Sequence, residues 1–325
     1  MADKRMEQMT NMNLNFNVSE PVEKKNITTF FLSSIEKNNN KYLSLSEAMD
    51  KNQVQISEVN KKGLLTKLSV SNKSSDNIII LNGELIIGTQ IRQDRIVDST
   101  VLIPGYATVL INTFCGEQYR WSPRLSNKIS TSTSESLYFS SGRANNAADI
   151  NTKLGKQCRI WSEISEKISD FNVKSFTNSV DQIYKKKRVN VEEIVNFFKI
   201  PSEAVGVALG INNQLVNIDI FSNNCMLQIY LPKIIRSIAL DSFKKISKKS
   251  YLKKKDVHRF LRQIHQANKQ KRKVVEGALG EELQFNSESV AGSILYHKEQ
   301  TVHFSAFVKE NKTTLPQYEY EDKAA

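Results

Sequence analysis

Cysteine is scarce: only Cys115, Cys158 and Cys225 occur in 325 residues, far apart. An odd, widely spaced set makes no disulfide framework and points to a reducing, cytoplasmic setting. Six prolines and twelve glycines are too few for a collagen-like or other low-complexity fibre. No apolar run approaches the ~20 residues that cross a bilayer, so no membrane partner is expected. The opening MADKRMEQMTNMNLNF carries charge but lacks the apolar stretch of a secretory signal. No G-x-G-x-x-G follows a strand and no G-x-x-x-x-G-K-[ST] occurs, which excludes the usual dinucleotide and P-loop sites. C-x-x-C is missing, and His258 and His265 are too far apart for an i, i+4 chelate, so neither metal nor other cofactor is expected. G-x-S-x-G is missing too, against a nucleophile-elbow hydrolase.

What the chain does hold is enough apolar surface to fold: 39% apolar against 25% charged residues. Its formal charge is +12, and the excess is local. Residues 244–273 contain 13 Lys/Arg and one acid, Asp256; without them the chain has 33 basic and 33 acidic residues. Val257, Phe260, Leu261 and Ile264 in this stretch recur at i, i+3, i+4 and i+7, a helical stripe that docks on a core. Arg259 and Arg262 then crowd the open side, with Lys269 farther along. Two readings stand: a polyanion surface formed by Lys253, Lys254, Lys255, Lys271, Arg272 and Lys273, with nucleic acid as partner, or a solvated basic helix. The nearby aromatics are Tyr251 and Phe260, and Phe260 belongs to the stripe, so any such contact would be to phosphates rather than bases.

The pattern along the chain predicts an α+β fold, antiparallel and β-rich in its N-terminal half, then helical, then closed by an antiparallel β-segment. Residues 1–17 read as a disordered tail, 18–310 as a single α+β domain, and 311–325 as a polar tail. Ser44 and Glu47 have capping-box spacing and start a short helix. Strands are expected over Val54–Val59, Lys67–Asn72, Ile78–Leu81, Ile96–Ile103 and Ala107–Phe114, all within a β-rich segment 53–121. The Ser/Thr/Asn-rich stretch 126–146 reads as a long loop. Within 150–308, Leu154, Trp161, Ile164 and Ile168 suggest one helical face, and Val180, Ile183 and Tyr184 a second helix. Asn190 with Glu193 suggests the start of a third. Ala204–Ile211 and Leu215–Phe221 flank a turn and read as a hairpin. Another helix spans Leu227–Ile238, with Pro232 either in its first turns or kinking it. Glu282–Phe285, Ala291–His297 and Thr301–Phe307 close the fold. The basic stretch 244–273 is expected to be helical.

One constellation carries chemistry. Gln93-Asp94-Arg95 and Cys115-Gly116-Glu117-Gln118-Tyr119-Arg120-Trp121 lie at predicted strand ends. Arginine forks suit phosphates, a carboxylate such as Glu117 accepts from ribose hydroxyls or acts as a base, and Trp121 offers a face for a base. The competing reading pairs Glu117 with Arg120 structurally and puts Trp121 in the core. His303, near a strand end, either moves protons near neutral pH or is a buried structural histidine. Cys115 is either a nucleophile or a buried, inert thiol.

These residues resemble the ADP-ribosylglycohydrolase- and rhodanese-phosphatase-associated protein domain family. The matching pieces are Tyr42–Ala48, Leu81-Asn82-Gly83-Glu84 with Gly88, Gln93-Asp94-Arg95, Val101-Leu102 and, most specifically, the Cys-x-Glu-Gln-x-Arg-Trp run at 115–121. Lys156–Trp161, Ala204–Ala208, Asp219–Phe221, Ala278–Glu281 and Val302–Phe307 continue the likeness, which spans about residues 18–308. Tyr119 stands where the family often has glycine, two additional residues separate Gly88 from Arg95, and the basic stretch exceeds the family pattern. The resemblance implies a link to NAD and ADP-ribose metabolism: binding, and hydrolysis or transfer, of an ADP-ribose- or NAD-derived nucleotide. On that basis Arg95 and Arg120 would hold phosphate, Glu117 would contact ribose or serve as base, Gln157 would orient the ligand, Gln93 would contact it, and Trp121 or Trp161 would line the pocket.

Overall fold

The computed structural model describes residues 16–34, 40–61, 63–64, 66–88, 91–120, 131–148, 153–243 and 252–309. The sequence readings for 1–15, Trp121, 244–251 and 311–325 fall outside them. Six helices and eighteen strands lie within the described residues. In chain order they are β1 (Asn17–Val18), β2 (Val22–Lys24), β3 (Ile27–Ser33), β4 (Leu43–Ser44), α1 (Leu45–Asp50), β5 (Val54–Ser57), β6 (Lys67–Asn72), β7 (Ile78–Ile80), β8 (Glu84–Gly88), β9 (Arg95–Val97), β10 (Val101–Ile103) and β11 (Thr108–Cys115). Then follow β12 (Thr131–Leu137), α2 (Ser140–Ala148), α3 (Lys153–Asp170), α4 (Val180–Val195), β13 (Ala204–Ile211), β14 (Gln214–Phe221), α5 (Asn224–Ser242), α6 (Lys254–Gln266), β15 (Asn268–Arg272), β16 (Glu281–Asn286), β17 (Val290–His297) and β18 (Gln300–Val308). No helix among the described residues is long and apolar enough to cross a membrane.

The expected α+β architecture is present, in three sheets. The first runs β12-β8-β9-β11-β6-β5, the second β10-β7-β4, and the third β1-β3-β13-β14-β18-β17-β16-β15 with β2 also on β3. All pairings are antiparallel except β4 with β7. Period-2 patterning explains β6, where Leu68, Val70 and Asn72 are buried in alternation. The middle of the third sheet is covered on both faces, so strands such as β13 and β18 read as largely apolar runs. In β3, Phe31 joins the core under α4 and α5, whereas Phe30 and Leu32 point to the other face. There the stripe of α6 (Val257, Phe260, Leu261 and Ile264) packs as its spacing predicted. Burying each such side chain is worth about 1.5–3 kcal/mol. Ser44 caps α1 in a full capping box with Glu47.

Several expectations need correction. The segment read as a loop over 126–146 contains β12 and most of α2. Its polar residues fold because distant partners satisfy them: β12 pairs with β8, and Asp241 of α5 accepts from the Ser141 N–H at 2.8 Å and its hydroxyl at 3.0 Å. Asn190 starts no helix and lies exposed inside α4. The run Ile96–Ile103 splits into β9 and β10, which belong to different sheets. On α3 the buried stripe is Gln157, Ile160, Ile164 and Lys167, while Leu154 is exposed. Pro232 lies well inside α5, where it withholds one helical N–H. Among the described residues of the basic stretch the helix covers Lys254–Gln266, and β15 follows as an edge strand. Lysines on such an edge discourage pairing with another chain. At the N-terminus, Asn17 is the first residue of a strand rather than the last of a tail.

Candidate functional site

β9 and β11 are antiparallel neighbours with Cys115 opposite Arg95, so the tripeptide 93–95 and the run 115–120 meet at one sheet end. The Gly116 N–H donates to the Asp94 carbonyl at 2.7 Å and holds the two segments together. Glu117 Oε2 accepts from the Asp94 N–H at 3.3 Å and from Arg120 Nε at 2.8 Å; Arg120 Nη2 is also 2.6 Å away. That same Nη2 is 3.4 Å from Asp94 Oδ1, and Nη1 donates to the Ile91 carbonyl at 3.1 Å. Ser179, at the start of α4, donates its hydroxyl to Asp94 Oδ2 at 3.2 Å and bridges Glu117 through the backbone. Two carboxylates thus flank one guanidinium whose side chain is 10% exposed, and the Ser179 hydroxyl holds one of those carboxylates.

Behind this group lies Arg95, fully buried. Its Nη2 meets both oxygens of Glu58 at 3.0 and 3.2 Å, and Nη1 lies 3.3 Å from Cys115 Sγ. Gln157 of α3 acts as a side-chain strand neighbour: Oε1 accepts the Cys115 N–H at 2.8 Å and Nε2 donates to the Cys115 carbonyl at 3.1 Å. The structure therefore brings Arg95, Glu117, Arg120 and Gln157 together, but Arg95 is committed to Glu58. Gln93 is buried nearby in sequence, with no hydrogen-bond partner for its Oε1 among the described residues. Trp161 follows Gln157 by one helical turn and packs half-buried against the main core.

Burial pushes the Cys115 thiol up to about 12 against the opposing pull of the Arg95 charge. It is therefore protonated near neutrality and a poor nucleophile. Cys158 and Cys225 are exposed. With the thiol reagent DTNB at pH 8, two thiols should react in the native protein and the third only after unfolding; fast reaction of all three would contradict this geometry.

His303 lies in a separate, closed cluster. Its Nδ1 is 3.0 Å from Thr100 Oγ1 and its Nε2 is 3.2 Å from Asp219 Oδ1. Thr100 Oγ1 accepts the Asn82 N–H at 3.2 Å, so its own proton is available for Nδ1, and the His303 N–H at Nε2 then faces Asp219. Asp219 also accepts from Arg143 at 3.0 Å and Asn217 at 2.6 Å. Burial depresses the His303 pKa, with Asp219 opposing. Burial alone would raise that of Asp219, but Arg143 and His303 outweigh it and lower it to about 2.

Sequence reading missed Arg143 and Lys233, and named Glu84 and Asp219 only as pieces of the family likeness, with no role. Glu84, fully buried, accepts from Lys233 at 2.6 Å, from Thr133 at 2.9 Å and from the Leu81 N–H at 3.2 Å. Gly83 turns at φ +80°, where a Cβ would stand 2.9 Å from the Arg143 side chain, so only glycine admits both the turn and the arginine. The available signal was a charge inside an apolar run: Asp219 in a strand, Lys233 in a helix.

The residues proposed to meet a polyanion divide. Lys253, Lys255 and Lys273 are exposed. Lys254 pairs with Glu20 at 2.6 Å, Lys271 with Glu281 at 2.9 Å, and Arg272 with Asp98 and Glu282 at 3.3 and 3.8 Å. A shallow cleft lined by Lys174, Gln182, Lys185 and Lys186 shares no residue with the Arg120 cluster. The carboxylates and guanidinium of the cluster are fixed by mutual bonds, whereas the cleft is lined by surface lysines.

An antiparallel α+β protein with a carboxylate–guanidinium group at one sheet end is the class these features define. The profile of ARPP-1, the ARG and Rhodanese-Phosphatase-superfamily-associated Protein domain, matches residues 15–307, and the chain belongs to that family. The family name records an association with ADP-ribosylglycohydrolase. No curated protein and no solved structure matches the chain.

Proposed function

We propose that the Arg120 cluster binds an ADP-ribose- or NAD-derived nucleotide in a reducing, cytoplasmic setting. The observation that carries this reading is the convergence of Asp94 and Glu117 on the partly exposed Arg120 guanidinium, with Ser179 from a third segment holding Asp94. Arg120 offers its edge to a phosphate, and Glu117 and Asp94 accept ribose hydroxyls. Arg95 stiffens the floor instead of touching phosphate, since it is fully buried against Glu58, whereas the Arg120 side chain keeps an exposed edge. Two carboxylates beside a sugar also suit protonation of a leaving group and activation of water, so glycosidic hydrolysis or transfer is the reaction class in keeping with the site. His303 belongs to the closed cluster and takes no part in this scheme. The basic stretch supports a polyanion role less well, because three of its six named cations are paired with acids and two of those lie on an edge strand.

Calorimetric titration with ADP-ribose, NAD and cyclic ADP-ribose tests the reading. At least one should bind, and Arg120→Ala should weaken it about 10- to 100-fold, the loss expected for a charge-assisted hydrogen bond. Folded protein that releases no heat with any of the three would sink the proposal.

A further inference from the structure

Two aromatic side chains stand in water beside the cluster. Phe176 is 98% exposed and Tyr119 66% exposed. They are carried by one short backbone ladder. The N–H groups of Gln118 and Tyr119 both donate to the Thr177 carbonyl, at 2.9 and 3.2 Å, and Glu117 bridges Ser179. Asn178 Nδ2 ties the same ladder by donating to Gln118 Oε1 at 3.2 Å and to Ser165 Oγ at 3.3 Å. Tyr119 thus sits between Glu117 and Arg120 in sequence, and Phe176 precedes the residue that receives its N–H.

Resting on the nucleotide reading above, we infer that Tyr119 and Phe176 form a stacking platform for the nucleotide's base. A single exposed aromatic needs no explanation, but two on one hydrogen-bonded ladder, next to a guanidinium and two carboxylates, divide the surface as a nucleotide is divided. The planar heterocycle meets ring faces, the sugar hydroxyls meet Asp94 and Glu117, and the phosphate meets Arg120. Stacking tolerates different bases because each has a π-face, so the platform accepts adenine and nicotinamide rings alike and gives affinity rather than base selectivity. The ladder bonds fix the backbone beneath both rings before the ligand arrives, which limits the ordering cost on binding.

The test compares compounds with and without a base. In Tyr119→Ala and Phe176→Ala, affinity for ADP-ribose and AMP should fall about 5- to 150-fold, the range for one lost base–aromatic contact, while affinity for ribose 5-phosphate stays unchanged. Tyr119→Phe and Phe176→Trp should retain tight binding. Both side chains are exposed, so the variants keep the fold, which circular dichroism verifies. If the unaltered protein binds ADP-ribose and both alanine variants bind it equally well, the platform is wrong and the cluster reading survives. If ribose 5-phosphate loses as much as ADP-ribose, the residues only position the cluster and the inference fails. If the unaltered protein binds none of the compounds, both readings fall. Variants that turn a dimer into a monomer in sedimentation, with nucleotide affinity unaltered, would assign the rings to a contact between two copies of the chain and overturn the platform.

Discussion

Asp219→Asn is expected to lower unfolding free energy by about 3–5 kcal/mol, the loss seen when one member of a buried ion pair is neutralised. Asp219 and Arg143 are both fully buried, and among the described residues Asp219 is the one hydrogen-bond partner of the Arg143 guanidinium, whose Nε and Nη1 have none. Neutralising the acid leaves a cation in the interior facing a neutral amide and the ring of Phe307, 5.0 Å away, with no negative charge to offset it. Arg143→Met should cost less, because Asp219 retains His303 and Asn217. Urea unfolding of both variants checks the order; equal losses, or an Asp219→Asn loss under about 1 kcal/mol, would mean that Arg143 is stabilised by something other than Asp219.

The same cluster sets a pH dependence with a defined sign. The folded-state pKa of His303 lies below its ordinary value of 6.5. On acidification the unfolded chain therefore takes up a proton before the folded one does, and the stability present above pH 6.5 declines as pH falls through 6.5 toward the folded value. Asp219 adds a second loss at lower pH: its contribution is complete above the ordinary 3.8 and disappears as pH falls through about 2. His303→Gln should flatten the first decline and move the second toward higher pH, because His303 helps to hold the Asp219 pKa down. An unchanged slope between pH 7 and 5 in that variant would contradict the assignment.

Lys233→Met is the other substitution with a large expected effect, again about 3–5 kcal/mol, because it leaves the fully buried Glu84 without its cation. The double variant Lys233→Met/Glu84→Gln should recover most of that loss. A neutral amide oxygen still accepts from Thr133 and from the Leu81 N–H, and no charge remains to be desolvated. The double-mutant cycle measures the coupling directly. Additive losses would show that Lys233 and Glu84 do not act as a pair.

Local patterns were legible where a residue's neighbours in sequence are also its neighbours in space. The Ser44–Glu47 capping box, the hairpin of β13 and β14, the closing strands and the stripe of α6 all follow from spacing alone. The charged run at 115–120 was legible as a cluster, since Glu117 and Arg120 are three residues apart and bond each other. Its purpose was less so. Nothing in the spacing pairs Arg95 with Glu58, 37 residues earlier, and that pairing removes Arg95 from the surface.

The residues themselves determined the antiparallel α+β character, the family and the concentration of charge at one sheet end, because alternation, helical stripes and short motifs act over a few residues. Tertiary structure alone decided that a serine-rich stretch becomes β12 and α2, that His303 is enclosed, and that Tyr119 and Phe176 share a ladder. Each of these depends on a hydrogen bond or ion pair between segments tens to hundreds of residues apart. The free energy of such a contact exists only once the chain has closed the loop between them.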